Sequence, residues 1–122
     1  MRFLAIFSSS VLSLLVVGHL TAQNVGKTYV GGASYYAKKF EGRKTANGEV
    51  FDQNKLTAAH NQLPYGSKVK VTNLANNQSV IVKINDRMAQ HNRNIIDVTK
   101  HAAKRLGFFG YFRARVILER IQ

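Results

Sequence analysis

One carboxylate stands where proton-transfer chemistry is easiest to arrange. Ser79 to Arg87 reads Ser-Val-Ile-Val-Lys-Ile-Asn-Asp-Arg. Val80, Val82 and Ile84 recur at the two-residue period of a strand, and Asp86 is the next residue on that face. If the apolar three point into a core, Asp86 sits at its mouth, partly desolvated, a setting suited to acid–base work. A strand-end Asp that serves a turn is the plainer alternative. Glu49 follows the turn signal Asn47-Gly48 and on its own reads as a solvated turn residue. His60 closes a short apolar stretch and on its own reads as a strand-end histidine. Asp97 precedes Thr99 and a helix start, which favours a structural role, since a carboxylate near a helix N-terminus is stabilised there. His91, Asp97 and His101 have the chemistry of metal ligands, but their spacing matches no strong ligand motif, and no metal or other cofactor is expected.

These residues need a scaffold, and the pattern supplies short strands. Tyr29 to Ala37 reads as a first strand with a bulge or a close backbone approach at Gly31-Gly32. Lys38 to Gly48 is a loop, Leu56 to His60 a short strand, and Leu63-Pro64-Tyr65-Gly66 has the Pro and Gly placement of a turn. Lys68 to Ala75 and Gln78 to Asn85 flank Asn76-Asn77, which suits a two-residue hairpin loop because Asn tolerates positive φ. That loop pairs Val71 with Val82, Val69 with Ile84 and Lys70 with Lys83, and brings Ser67 near Asp86. Ile95 to Val98 is another short strand. Thr99 is the expected N-cap of a short helix with Ala102, Ala103 and Leu106 on its buried side and Gly107 just past its end. Phe112, Ala114, Val116 and Leu118 alternate against Arg113, Arg115 and Glu119 in a closing strand. About six strands and one short helix point to a small all-β barrel, whose closure removes exposed edges.

The chain of 122 residues has room for one domain. Arg2, the apolar run Phe3 to Val17 and Leu20-Thr21-Ala22 read as a cleaved export signal over residues 1–22, with the domain over 23–122. The run is shorter than the roughly 20 residues that span a bilayer, so no membrane anchor is expected after cleavage. There is no Cys, hence no disulfide and no cysteine to carry a lipid. Eighteen Lys and Arg stand against 6 acidic residues. Such a field favours anionic partners. Export makes a wall or membrane surface the expected partner rather than nucleic acid, with the protein a monomer in the periplasm or cell envelope.

Seven motifs then occur in order: Ala33-Ser34-Tyr35-Tyr36, Thr45-Ala46-Asn47-Gly48-Glu49, Leu56-Thr57-Ala58-Ala59-His60, Leu63-Pro64-Tyr65-Gly66, Val69-Lys70-Val71-Thr72-Asn73-Leu74, Ile84-Asn85-Asp86-Arg87 and Ile95-Ile96-Asp97-Val98. Together they resemble the rare lipoprotein A family of septal, endolytic-type lytic transglycosylases, over Gly31 to about Gly107. The resemblance implies a six-stranded double-psi β-barrel with one short helix, and peptidoglycan glycan strands as the substrate. It assigns catalytic positions to Asp86, Glu49 and His60. The chain departs from the family pattern at Met88-Ala89, where Gly-Pro is usual, at Tyr35, where Trp is usual, at Glu41, where His is usual, and at Arg93-Asn94, where Gly-Arg is usual.

The activity so implied cleaves the bond after N-acetylmuramic acid without water. An acid protonates the glycosidic oxygen, and the same group as a base helps the sugar's 6-hydroxyl close a 1,6-anhydro ring. Asp86 is the expected acid–base group, Glu49 the carboxylate that stabilises positive charge at the anomeric carbon, and His60 a hydrogen-bonding partner of the sugar. Tyr35 and Tyr36 are candidates for stacking on sugar rings, although aromatics on a barrel strand are more often core. Ser34, Asn85 and Arg87 are the expected polar neighbours in substrate binding. The alternative is a non-catalytic, expansin-like protein that holds wall polymer in the same groove.

Overall fold

The computed structural model describes residues 25–122. The export signal expected over residues 1–22 lies outside them. Six strands, β1 (Thr28–Tyr35), β2 (Thr57–Ala59), β3 (Lys68–Asn73), β4 (Ser79–Asp86), β5 (Ile96–Val98) and β6 (Ala114–Arg120), close into a barrel in the order β1-β5-β2-β4-β3-β6. One helix, α1 (Lys100–Leu106), follows β5. Alternation explains the interior. Val69, Val71, Val80, Val82, Ile84, Ile96, Val98, Val116 and Leu118 point inward and are buried, while their strand neighbours face out.

The glycines of β1 are places of close approach, as expected. A Cβ on Gly31 would lie 2.7 Å from the Ile95 side chain, and one on Gly32 would overlap the Arg113 guanidinium. Thr99 caps α1 as expected: its hydroxyl accepts from the Ala102 amide at 3.2 Å and donates to the Lys55 carbonyl at 2.5 Å. Gly107 ends the helix at φ 78°.

Two local expectations are corrected. The β3–β4 register is two residues tighter, with Val71 opposite Val80, Val69 opposite Val82, Lys70 opposite Ile81 and Lys68 opposite Lys83. The connection, Leu74 to Gln78, is five residues rather than two. Asn73 closes it, its side-chain oxygen accepting from the Ala75 amide and its carbonyl from the Asn77 amide, with Asn77 at φ 60°. A shift of two keeps every side chain on its face, so the core is unaffected, but Ser67 now lies opposite Ile84 rather than near Asp86. The closing strand also starts later: Phe112 is 93% exposed and precedes β6.

Candidate active site

The carboxylates are positioned by an irregularity in β4. Ile84 pairs with Ala58, but the next residue of β2, Ala59, pairs with Asp86, so Asn85 is an extra residue on β4. Such a bulge reverses the alternation beyond it. Ile84 and Ala58 face the barrel interior, whereas Ala59 belongs to a second apolar cluster with Tyr36 and Phe51 on the outer face. Asp86 therefore turns outward and does not continue the face of Val80, Val82 and Ile84, as the strand period alone predicts. Asn85 is buried instead.

Ala59 also pairs with Asp97 on its other side, and Asp97 pairs with Ser34. Cross-strand partners share a face, so Ser34, Asp97, Ala59 and Asp86 form one row over β1, β5, β2 and β4. Two strand spacings put the Cα atoms of Asp86 and Asp97 about 10 Å apart, with the Ala59 methyl between them buried in the cluster with Tyr36 and Phe51. Asp97 is the residue that sequence reasoning assigned elsewhere. It makes no bond to the start of α1. It accepts from the Ser34 hydroxyl, and from Asn92 Nδ2 at 3.1 Å, while Asn94 Nδ2 donates to Ser34 at 3.1 Å. Burial raises the Asp97 pKa, the nearby Asp86 charge adds to the rise, and the bonds from Ser34 and Asn92 offset part of it.

Asp86 is held differently. The Tyr36 hydroxyl donates to one oxygen at 2.6 Å, and the amides of Ala46 and Arg87 donate to the other at 2.8 and 2.9 Å. Burial, then the bond to Asp86, pushes the Tyr36 phenol far above its usual range, so it stays a donor. Its ring packs on Phe51 at 4.2 Å and is only 9% exposed, which leaves no free face for a sugar. Tyr35 packs against Phe108 and Phe109, and its hydroxyl accepts from the Gly110 amide.

Glu49 comes from the turn Thr45–Gly48, in which the Gly48 amide bonds the Thr45 carbonyl and Gly48 takes φ 93°. The Asn47 amide docks on the Asn85 carbonyl, which brings Glu49 to the same end of β4 as Asp86. Glu49 accepts from Asn47 Nδ2 at 2.7 Å, Lys83 Nζ at 3.1 Å and Asn85 Nδ2 at 3.4 Å. The bond from Asn47, then that from Lys83, lowers its pKa, so it is a fixed negative charge at neutral pH.

His60 is 3% exposed, and burial, with the Arg87 charge, lowers its pKa to about 4. Its Nδ1 accepts from the amides of Gln62 and Leu63, each at 3.1 Å. That leaves the proton of the neutral ring on Nε2. The ring lines a cavity of about 160 Å³ with Tyr29, Asn61, Gln62, Met88, Asn94 and Ile95. Arg87 donates to the His60 carbonyl at 2.8 Å and lies over Tyr65, so it braces β2 against the tip of β4. The amide oxygens of Asn85 and Asn94 are buried without a partner among the described residues, one beside each carboxylate strand.

Comparison with known proteins adds independent evidence. Residues 28–117 match a family described as lytic transglycolase. The endolytic peptidoglycan transglycosylase RlpA of Neisseria meningitidis serogroup A is 51% identical over 94 residues, covering 77% of this chain and 39% of that protein. The endolytic peptidoglycan transglycosylase RlpA of Pseudomonas aeruginosa strain UCBPP-PA14 is 46% identical over 108 residues, covering 80% of this chain and 32% of that protein. The chain thus spans well under half the length of these relatives. Among solved structures, a Streptomyces papain inhibitor matches with a TM-score of 0.65 at 18% identity, over 80% of this chain and 97% of that one. The expansin of Clavibacter michiganensis matches with a TM-score of 0.61 at 17% identity, over 78% and 50%. These structural likenesses bear on the fold, a double-psi β-barrel.

Proposed function

The chain belongs to the lytic transglycolase family, and from that premise we propose that it cleaves peptidoglycan glycan strands endolytically in the cell envelope, forming 1,6-anhydro ends. The observation that carries the reading is the outer-face row Ser34–Asp97–Ala59–Asp86. The two carboxyl groups stand half-buried on one face, and the Ala59 methyl between them is covered by the cluster with Tyr36 and Phe51, so a glycan strand reaches them from outside that cover. Asp97 is the group whose surroundings favour the protonated form, and it donates its proton to the glycosidic oxygen as that bond breaks. The resulting Asp97 carboxylate takes the proton of the 6-hydroxyl while that oxygen bonds to the anomeric carbon. The proton count closes and no water is consumed. Asp86, fixed by three donors, opposes the positive charge that develops at the anomeric carbon. This divides between two aspartates the work that the strand pattern alone assigns to Asp86.

Ser34, Asn92 and Asn94 orient Asp97, and Asn85 and Arg87 hold the tip of β4. Glu49 adds a fixed negative charge at the same end. His60 acts as a hydrogen-bond donor through Nε2–H to a sugar oxygen, its ring being neutral near pH 7. Digestion of purified peptidoglycan followed by mass spectrometry tests the reading. Anhydromuramyl products that disappear in Asp97→Asn and in Asp86→Asn support it. Ordinary reducing ends make the protein a hydrolase. Retention on peptidoglycan without products, unchanged by either substitution, makes it the non-catalytic binder.

A further inference from the structure

The segment between α1 and β6 carries apolar surface that the site does not use. Phe108 is buried, but Phe109, Tyr111 and Phe112 are 42%, 68% and 93% exposed. They are held out rather than loose. Gly107 reverses the chain in the left-handed region, the Gly110 amide bonds the Tyr35 hydroxyl, and the Tyr111 amide bonds the Phe108 carbonyl. Cations surround them. Lys104 Nζ lies 4.9 Å from the centre of the Phe109 ring. Arg113, just before β6, and Arg115, within it, are exposed, and the only ion pair among the described residues is elsewhere, between Lys83 and Glu49. From Val98 to Leu118 the sequence has Lys100, Lys104, Arg105, Arg113 and Arg115 and no acidic residue.

We propose that Phe109, Tyr111 and Phe112, with the basic residues around them, form a docking surface for the headgroup region of an anionic phospholipid bilayer. The chemistry separates this partner from the others. A second copy would bring like charges together. A soluble polyanion would match the cations but leave Phe112 in water. A glycan can stack on aromatic rings, and the peptidoglycan arm of the test below separates it from a bilayer. A lipid interface takes both parts, with aromatic rings at headgroup depth and Arg and Lys against anionic groups. The surface lies where β1 and β5 finish and β6 begins, one residue beyond the Ser34–Asp97 pair.

The chain has no Trp, so Phe112→Trp provides a reporter at one position, separable from any contribution of the apolar run Phe3 to Val17. With vesicles of mixed phosphatidylglycerol and phosphatidylcholine, its emission shifts to the blue, and high salt reverses the shift. The shift is lost when Arg113 and Arg115 are both replaced by Ser. A Trp at Val50, which is 61% exposed on the segment before β2, does not shift. The proposal falls if position 112 stays in water, if both positions shift alike, or if phosphatidylcholine alone gives the full shift. It also falls if peptidoglycan or a higher protein concentration produces the shift and anionic vesicles do not. Loss of lytic products with the vesicle response intact would overturn the proposed activity and leave this surface standing.

Discussion

Two titrating residues make opposite demands on pH, and each can be isolated. Asp97 has a raised pKa, so its neutral form is the active acid. The rate of product formation should fall as pH rises through that value, and Asp97→Asn should lower it by at least about 100-fold at every pH, the scale of losing a general acid. A pH profile unchanged in Asp97→Asn would remove Asp97 from the chemistry. The same shift affects stability: Asp97 contributes fully below its unfolded pKa near 4 and loses that contribution as pH rises through its folded value. His60 runs the other way. Its folded pKa of about 4 lies below the ordinary 6.5, so only the unfolded chain gains a proton between them. Stability is lost as pH falls from about 6.5 to about 4, by on the order of 3 kcal/mol. Urea denaturation across that range should show the slope in the natural chain and a much flatter one in His60→Asn, whose amide oxygen can still accept from the chain. Equal slopes would mean that another group carries the acid sensitivity.

Helix α1 and the β3–β4 hairpin are joined by one buried side chain. Asn73 Nδ2 donates to the Leu106 carbonyl at 2.8 Å, its oxygen accepts from the Ala75 amide, and it is 3% exposed. Asn73→Ala should therefore cost about 2–3 kcal/mol. Asn76→Ala removes only a second bond to the same carbonyl and should cost less than about 1 kcal/mol. Denaturant midpoints measure both, and equal losses would show that the hairpin does not depend on Asn73. This asparagine also explains what the sequence left hidden. Strand periods, the Thr99 cap and the Gly107 stop are local and were legible. The loop length was not, because Asn73 acts as the closing residue while its pattern reads as strand. The partner of Asp97 is hidden in the sequence for a similar reason. Ser34 is 63 residues away, through a parallel pairing of β1 with β5 that no local period encodes. The bulge at Asn85 could not be seen in a strand whose alternation looks unbroken; the ordered motifs named Asp86 without showing which way it faces.

At the scale of the whole molecule, folding and charge act on different parts of the proposed function. Barrel closure sets the consecutive strands β4 and β5 on either side of β2, which puts Asp86 and Asp97 in one row, and local donors hold them at short range. The excess of 18 basic over 6 acidic residues acts at longer range, where dissolved salt screens it over about 8–10 Å near physiological ionic strength. Asp97, half-buried and bonded to Ser34, is screened much less. Raising the salt concentration should therefore weaken capture of an anionic wall polymer more than the chemical step. KM on peptidoglycan should rise roughly tenfold between low and high salt, the scale by which surface fields change association, while kcat changes by less than about twofold. A parallel fall in kcat would place the basic surface at the reacting centre. A KM indifferent to salt would mean that groove contacts alone hold the strand and that the net charge serves another partner.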